Sequence, residues 1–421
     1  MKIFDKISVF FLFLLCIVFP YQFYSLKIPL LLYVLLRISF KILITKRAEI
    51  TLSVIILFAI YIFIGLFFIL YGISSGNAYP GSFKYVFALY VIFPVIYFIL
   101  ILGTPKKKEY IHFAEKIMSF GFILSSLVMI TAYFNKRYGY FGFLHFIFDD
   151  MIVDLTGNVV KIRYHGISSL LFLFPYFFSE FILNVKGKSF KQILIRIFIL
   201  ALSVIAVSLS GRRALLVIFV LSIVITFIFK FLFTKFNRRI KKNILIFISV
   251  IFIATLPLLF KVNYVKLYKS INSIAEYAFN LDKNKDSEES DNERVKQIKQ
   301  FVKEIQERPV LGYGHGASLD NVVRSKEKPW RYEMSFFDIV FHTGILGFIL
   351  YITGPLWILF SLLKIASEDK NKMPVALAMF TGFLSVLIAF FTNPYLNAFD
   401  IQWVIYLPLF AVLVFNNKKD K

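Results

Sequence analysis

The chain of 421 residues is poor in cysteine and in charged side chains. Its single cysteine, Cys16, excludes an intrachain disulfide, a CxxC redox motif and a cysteine zinc cluster. Charged residues make up 17% of the chain, against about 25% in ordinary soluble domains. Hydrophobic residues reach 59%, with 53 Phe among them. This balance excludes a disordered chain, collagen and a disulfide-stapled secreted fold, and it predicts an integral membrane protein.

Several motifs of catalytic sites are missing as well. The chain has no Asp-x-Asp, no HExxH and no Walker-type loop, so nothing in it indicates a metal or a nucleotide cofactor. A glycine-spaced run at residues 309–316 lacks the preceding strand that a dinucleotide-binding fingerprint requires. Any reaction must therefore draw its energy from an activated substrate, or from an ion gradient if the protein is a transporter.

Apolar runs long enough to cross a bilayer predict an all-α membrane protein of about twelve transmembrane helices. The first run is read as a retained helix, because no small-residue cleavage site follows it. We expect helices 1–9 within residues 1–261, a large external loop with short amphipathic helices at 262–334, and helices 10–12 with a cytoplasmic tail at 335–421. The runs lie at 7–24, 28–44, 50–72, 84–103, 114–134, 164–185, 191–209, 214–233, 243–261, 335–362, 373–391 and 399–416.

The formal net charge of +23 would suggest nucleic-acid binding in a soluble protein. Here about half of the Lys and Arg residues fall on one alternating set of loops, which includes both chain ends. Because Lys and Arg concentrate on cytoplasmic loops, this pattern places both termini in the cytoplasm. The charge therefore reports orientation, and no nucleic-acid partner is expected.

Two external segments are long. Residues 135–163 mix aromatic and acidic side chains, and we expect part ordered loop and part interfacial helix there. Within 262–334, the polar stretch 282–294 has no apolar periodicity and predicts a mobile connector. After it Val295, Ile298, Val302 and Ile305 recur at helical spacing, with Pro309 as a stop signal.

Arginines on the external side are unexpected under the positive-inside rule. Arg212 and Arg213 occupy a short turn between the seventh and eighth runs, and such a pair suits a phosphate or pyrophosphate. The alternative is that they reach lipid headgroups. Arg163 adds a cation at the start of the sixth run or serves as an interfacial anchor. Arg294 opens the loop helix, where a solvated face is the default interpretation.

Two residues are candidates for proton transfer. His315 lies in the glycine-spaced run, whose glycines would let backbone amides approach a ligand, and it suits a base, a donor or a structural role. Glu333 precedes the tenth run, where it could accept a proton from a sugar hydroxyl or pair with Arg331 or Lys328 at the surface. His342 lies about two helical turns into that run.

Taken together, these stretches resemble the O-antigen polymerase and O-antigen ligase superfamily of bacterial cell-envelope enzymes. The resemblance covers roughly residues 161–394 and rests on the order of several short motifs. They are Arg-x-x-Gly at Arg163 and Gly166, the Ser-Gly-Arg-Arg turn at 210–213, Arg294 before a helix, Pro-x-x-Gly-x-Gly at Pro309, Gly312 and Gly314, Gly-Ile-x-Gly at Gly344, Ile345 and Gly347, and Asn393 with Pro394.

Two positions depart from the family pattern. Glu333 and Met334 stand where ligases usually have a His-Asn pair, which favours a polymerase over a ligase and leaves the base unassigned. Ser168 and Ser169 replace a Pro-Asn that is common after the first Arg-x-x-Gly.

The resemblance implies a metal-independent glycosyltransferase of the bacterial inner membrane that acts at the periplasmic face and needs no cofactor. Its substrates would be undecaprenyl-pyrophosphate-linked oligosaccharides, and a chain-length regulator protein is a further expected partner besides membrane lipids. Arg212 and Arg213, with Arg163 and Arg294, would hold the pyrophosphate, while Glu333 or His315 would act on the acceptor hydroxyl. A polymer ligase and a lipid-linked oligosaccharide flippase are the alternatives, although flippases usually lack so large an external loop.

Overall fold

The computed structural model describes most of the chain. The described residues are 3–45, 52–105, 107–138, 152–156, 159–163, 166–185, 188–210, 213–233, 289–319, 327–391 and 393–417. The predicted ninth run, 243–261, lies outside them.

The described residues are predominantly helical, as the composition predicts. Short 3-10 turns at Tyr395–Asn397 and Phe399–Ile401 precede the last helix, and a π-helical segment at Ala88–Ile92 joins the fourth helix to the fifth. The α-helices are α1 Ile3–Val18, α2 Tyr24–Thr45, α3 Leu52–Ser74, α4 Ser82–Phe87, α5 Phe93–Gly103, α6 Lys108–Tyr138, α7 Ile167–Leu183, α8 Phe190–Leu209, α9 Arg213–Phe233, α10 Glu289–Glu307, α11 Ser335–Glu368, α12 Met373–Phe390 and α13 Trp403–Phe415.

Every predicted membrane run within the described residues coincides with a helical segment. By length and composition, 7 of these segments suffice to cross a membrane: those at 54–74, 82–103, 108–135, 190–209, 214–233, 335–368 and 373–390. Helices α7 and α13 are shorter and equally apolar. The protein is therefore a multi-pass membrane protein, while the total of twelve spans stays a prediction.

Within the segment 135–163 the described residues include a β-sheet that the sequence did not predict, while the expected interfacial helix stays a prediction because residues 139–151 lie outside the described part of the chain. Helix α6 continues to Tyr138, and a two-stranded antiparallel sheet follows, with β1 at Ile152–Thr156 and β2 at Val159–Arg163. Ile152 pairs with Arg163 at one end of the sheet and Thr156 with Val159 at the other. The two strands are rich in Val and Ile, which favour extended backbone over helix.

The helix in the large loop begins earlier than expected. Residues 289–294 belong to α10 instead of the expected connector. Residues 282–288 lie outside the described part of the chain. The helix ends at Glu307, two residues before Pro309, as the stop signal predicts.

Helix α7 lies at the centre of the bundle. Nearly all of its residues are buried, and it packs against α12, α9, α6 and α8. Gly382 of α12 permits the closest approach, since a Cβ there would lie 3.1 Å from the carbonyl oxygen of Phe172. The apolar side chains of α7 thus form the centre of the main hydrophobic core.

Polar contacts distinguish the two ends of the bundle. At one end, which we call the loop end, the α1–α2 turn meets segment 395–400 and the α3–α4 turn meets segment 312–316. At the opposite end lysines cap helix C-termini, with Lys230 Nζ 2.5 Å from the carbonyl of Ile182 and Lys372 Nζ 2.9 Å from that of Phe415. Arg196 pairs with Glu180 there as well.

Candidate functional site

Helix α11 is broken near the loop end, at Gly344. This residue has φ 63° and ψ −175°, which interrupts the helical hydrogen bonds on either side. The carbonyls of Phe341 and His342 are satisfied from outside the helix, by the backbone N–H groups of Tyr313 at 3.0 Å and Gly314 at 2.8 Å. The glycine-spaced turn therefore supplies the donors that the broken helix lacks.

The broken helix in turn donates backbone hydrogen bonds to the segment before the glycines of the turn. The N–H of Ile345 donates to the carbonyl of Pro309 at 2.8 Å, and that of Leu346 donates to Val310 at 3.3 Å. Segment 309–314 and the break in α11 thus satisfy each other's backbone groups, which would be costly to bury unpaired. The turn and the helix form one unit.

The glycines of the turn permit this docking. Gly314, at φ 84°, lies so close to α3 that a Cβ would sit 2.2 Å from the Cα of Gly72. At Gly312 a Cβ would lie 2.4 Å from the carbonyl oxygen of Phe341. The amide of His315 donates to the carbonyl of Phe68 at 2.9 Å, so the amides of residues 313–315 all bond within the protein. These glycines bring backbone to backbone, and those three amides are not directed at a ligand.

His315 is held in a buried aromatic setting. Its ring stacks on Tyr90 with centroids 4.1 Å apart, and its Nε2 lies 3.1 Å from the Tyr351 hydroxyl. Burial lowers the pKa of His315 well below its ordinary value, and the neighbouring His342 adds to the effect. His315 is therefore neutral at pH 7, as either a base or a hydrogen-bond partner requires.

His342 lies beside it, with ring centroids 5.7 Å apart, and forms an ion pair with Asp338. Its Nδ1 is 2.8 Å from the Asp338 carbonyl and 3.1 Å from Asp338 Oδ1, while its Nε2 is 3.1 Å from the carbonyl of Ala317. Both ring nitrogens face oxygen acceptors, but a neutral imidazole has only one N–H. The geometry therefore fits an imidazolium paired with the Asp338 carboxylate.

A small polar pocket lies against these two histidines. Its volume is about 30 Å³, which suits one or two water-sized groups. Trp330 forms part of the wall, and its indole Nε1 is buried without a hydrogen-bond partner among the described residues. The other polar lining residues are Tyr85, Tyr90, His315, Ser335, Asp338, His342 and Asn397.

A second, apolar pocket lies on the other side of His315. It measures about 170 Å³ and is formed by α3, the α3–α4 turn and α4, with Ile69, Tyr79 and Phe83 among its walls. His315 and Val86 line both pockets. One histidine thus separates a space suited to apolar groups from a space suited to a hydroxyl group.

A family model described as O-antigen ligase matches residues 198–352. This match supports the assignment of the chain to the O-antigen polymerase and ligase superfamily. The match runs from α8 through the break in α11, so it includes both the Arg212–Arg213 turn and the histidines of the polar pocket. It agrees with the resemblance that the short motifs predicted, and the members of that family are glycosyltransferase-like enzymes. A comparison with curated proteins finds no match.

The predicted pyrophosphate-binding residues lie on several different elements. Arg163 ends β2, and this strand contacts α8, the helix that leads into the 210–213 turn. Arg213 is the first residue of α9, while Arg212 lies outside the described residues. The backbone thus brings the β-hairpin to the helix before the arginine turn, and a shared anion site remains a prediction.

Glu333 and Arg294 belong to a different neighbourhood. The backbone N–H of Glu333 lies 3.4 Å from Oε1 of Gln297 on α10, and Arg294 is one helical turn before Gln297. The segment containing Glu333 therefore packs on the loop helix. Glu333 is not among the residues that line the polar pocket with His315, although Ser335 and Trp330 on either side of it are.

Several residues of the pocket were missed from the sequence. Asp338 had a detectable signal, because an acidic residue four positions before a histidine in an apolar run lies on the same helical face. Arg331 was considered only as a surface partner of Glu333, yet its guanidinium carbon lies 4.9 Å from the Tyr85 ring centroid. Tyr85 and Asn397 come from distant segments, and no sequence pattern connects them to the pocket.

Within the ranges that the structure describes, no group of three or more His, Cys, Asp and Glu side chains is arranged to hold a metal ion. The polar pocket offers a carboxylate, two imidazoles, an amide and an indole N–H, a set that suits hydrogen bonding to a neutral hydroxylated ligand.

Proposed function

We propose that the protein is an O-antigen or capsular polysaccharide polymerase. It moves a growing undecaprenyl-pyrophosphate-linked glycan onto the next lipid-linked repeat unit at the periplasmic face of the bacterial inner membrane. One observation carries the proposal: the family match at 198–352 includes both the Arg212–Arg213 turn and the polar pocket at His315. Donor recognition and acceptor activation would then lie within one matched domain.

In the proposed reaction the acceptor hydroxyl oxygen forms a bond to the anomeric carbon of the donor glycan. The bond between that carbon and the pyrophosphate oxygen breaks, and the hydroxyl proton passes to a base on the protein. Undecaprenyl pyrophosphate leaves as an anion. No metal or cofactor takes part in this scheme.

The arginines serve the leaving group. Arg212 and Arg213, with Arg163 and Arg294, hold the pyrophosphate through parallel N–H donors and stabilise its developing charge. His315 and Glu333 are the candidates that the sequence offers for the acceptor side. The neutral His315 at the polar pocket supports the first of them, while the place of Glu333 on α10 supports a role nearer Arg294.

The proposed orientation follows from charge. The end opposite the loop end carries Arg196, Lys230 and Lys372, in keeping with a cytoplasmic surface. The loop end, with the polar pocket, then faces the periplasm, and both termini lie in the cytoplasm.

A polymer ligase is the second candidate, because the matching family is described as O-antigen ligase. It would share the pyrophosphate site and transfer finished polymer to another acceptor. Glu333 and Met334 in place of the usual His-Asn pair favour the polymerase. Deleting the gene separates the two: surface glycan reduced to a single repeat indicates a polymerase, and accumulated lipid-linked full-length polymer indicates a ligase. Repeats retained in the cytoplasm would point to a flippase.

Replacing the arginine pair tests the pyrophosphate site. We expect Arg212→Ala and Arg213→Ala each to reduce polymer synthesis by about 100-fold or more, since each removes a preorganised donor to the leaving group. Lysine should substitute poorly, because it lacks the planar fork of N–H donors. The measurement is the polysaccharide ladder on a gel, with membrane insertion verified by immunoblot.

Arg238→Ala, on the predicted cytoplasmic side, is the matched control and should leave the ladder unchanged. A normal ladder from both Arg212→Ala and Arg213→Ala would remove the pyrophosphate role of the pair.

A further inference from the structure

We propose that Asp338 binds the acceptor hydroxyl and accepts its proton, and that the indole N–H of Trp330 donates to an oxygen of the same acceptor sugar. This inference rests on the proposed glycosyl transfer and assigns its base to neither Glu333 nor His315. As the hydroxyl oxygen bonds to the anomeric carbon, its proton moves to Asp338 Oδ, and the pyrophosphate leaves with the electrons of the broken carbon–oxygen bond.

The position of Asp338 is the first support. It lies in the first turn of α11 and lines the polar pocket together with Ser335 and Asn397. The side chain is 20% exposed, so a substrate can reach the carboxylate, whereas the pocket itself admits only a group of hydroxyl size. Glu333 does not line this pocket.

Unsatisfied hydrogen-bonding capacity is the second support. Trp330 is 7% exposed, and its Nε1 has no hydrogen-bond partner among the described residues. A buried N–H without a partner costs roughly 1–3 kcal/mol, and buried polar groups are normally paired. The ring is fixed against Tyr79, with centroids 5.4 Å apart, so Trp330 cannot easily turn to another acceptor. A ligand oxygen in the pocket would complete this bond.

The surroundings of Asp338 are the third support. His342 is a positioning residue, because its two nitrogens bond to Asp338 and to the carbonyl of Ala317 and leave no N–H for a substrate. His315 directs Nε2 to the Tyr351 hydroxyl and stacks on Tyr90, so it serves as a wall of the pocket.

The test uses the full chain in liposomes with a lipid-linked repeat unit as substrate. We expect Asp338→Asn to lower kcat by about 100-fold with little change in KM, as loss of a general base does. Asp338→Glu should recover part of this loss. Trp330→Phe keeps the ring and removes the N–H, so KM should rise by about 3- to 10-fold. Glu368→Gln, an exposed carboxylate at the other end of α11, is the matched control and should stay within about 3-fold of the wild type.

The outcomes separate this inference from the proposed function. If the wild-type protein extends no glycan, both fall. If the wild type is active and a folded Asp338→Asn retains a third of its kcat, the assignment of Asp338 is overturned while the polymerase stands. Should Asp338→Asn not fold, Trp330→Phe decides: an unchanged KM for the acceptor overturns the proposal, and a raised KM with unchanged kcat upholds the subsite.

Discussion

Two ion-paired carboxylates at the loop end, Asp400 and Asp338, differ in how far they are exposed. Asp400 is fully buried and lies 2.5 Å from the Lys27 ammonium, whose side chain is only 3% exposed. Asp338 is 20% exposed, lies 3.1 Å from His342, and borders a pocket. Each carboxylate has a cationic partner, yet only that of Asp338 can meet a ligand. Accessibility, and not the presence of an ion pair, distinguishes the catalytic candidate from the structural one.

The Asp400 pair joins the ends of the chain. One carboxylate oxygen accepts from Lys27 Nζ and from the backbone N–H of Tyr21 at 2.7 Å, and Lys27 also donates to the carbonyl of Phe19 at 2.5 Å. Tyr21 has φ 68°, an unfavourable conformation for a tyrosine. The bond to Asp400 holds this turn against the 3-10 turn Phe399–Ile401 that precedes α13, so we assign the pair to stability.

The largest expected effect comes from breaking that pair. Asp400→Asn leaves the Lys27 charge buried without a counter-ion, and we expect a loss of about 3–5 kcal/mol in the free energy of unfolding. The measurement is unfolding in mixed micelles, with Asp338→Asn as the comparison. The second variant should lose less stability, because the Asp338 side chain is 20% exposed and its histidine partner, unlike a lysine, can release its proton near neutral pH.

The double replacement Lys27→Met with Asp400→Leu tests whether the loss of stability comes from the unpaired buried charge. Removing both charges avoids an unpaired buried ion, so this variant should be more stable than either single replacement. An Asp400→Asn protein as stable as the wild type would contradict the assignment of the pair to stability.

The next largest loss of stability is expected at Gly344, because the break in α11 there holds the turn that forms one wall of the pocket beside Asp338. Gly344→Ala places a Cβ 2.1 Å from the carbonyl oxygen of Val310 at a positive φ, so we expect a loss of at least about 2 kcal/mol. The same variant should lose activity, because the turn that carries His315 is displaced. Unfolding and turnover are measured on the same preparation.

Gly354→Ala is the matched control in the same helix. Its Cβ would meet nothing nearer than Leu57 at 3.9 Å, so alanine should stabilise the helix by roughly 0.5–1 kcal/mol. If Gly344→Ala and Gly354→Ala changed the free energy of unfolding in the same direction, the docking of the turn into the helix break would be refuted.

The smallest effect concerns pH. The pKa of His315 is lowered by burial and by His342, so the unfolded chain binds a proton near pH 6.5 that the folded protein does not. Stability should therefore fall as the pH drops through 6.5, by at most about 1.4 kcal/mol per pH unit. Melting temperatures between pH 7.5 and 5 measure this, and His315→Gln should show a shallower decline. Parallel curves for the two proteins would contradict a neutral, buried His315.

The helices were predictable where apolar runs or a clear period existed. The spacing of Ile298 and Ile305, with Pro309 after them, predicted α10, and its apolar side packs through Phe301 against Tyr332 and Phe341. The break at Gly344 was not predictable, because a glycine inside an apolar run looks the same in a straight helix. Its conformation depends on a turn about thirty residues earlier.

Contacts at the loop end were likewise predictable only where both residues lie on one helix. Asp338 and His342 share a helix, so their contact follows from a spacing of four residues. Lys27 and Asp400 are 373 residues apart, and a lysine near the start of a run looks like an ordinary interfacial anchor. Sequence patterns report neighbours on one element, whereas the pocket depends on how distant elements pack.

The exchange of backbone bonds between segment 309–314 and α11 has a consequence for chimeric enzymes. A loop transplanted from a relative must bring its own glycine spacing and meet a helix broken at the matching residue, or four backbone partners are lost together. The α3 glycine at position 72 belongs to the same transplant, because Gly314 rests directly on it. Cuts within residues 320–326, between the docked turn and Trp330, would keep this unit whole. Donor and acceptor preferences could then be exchanged as cassettes.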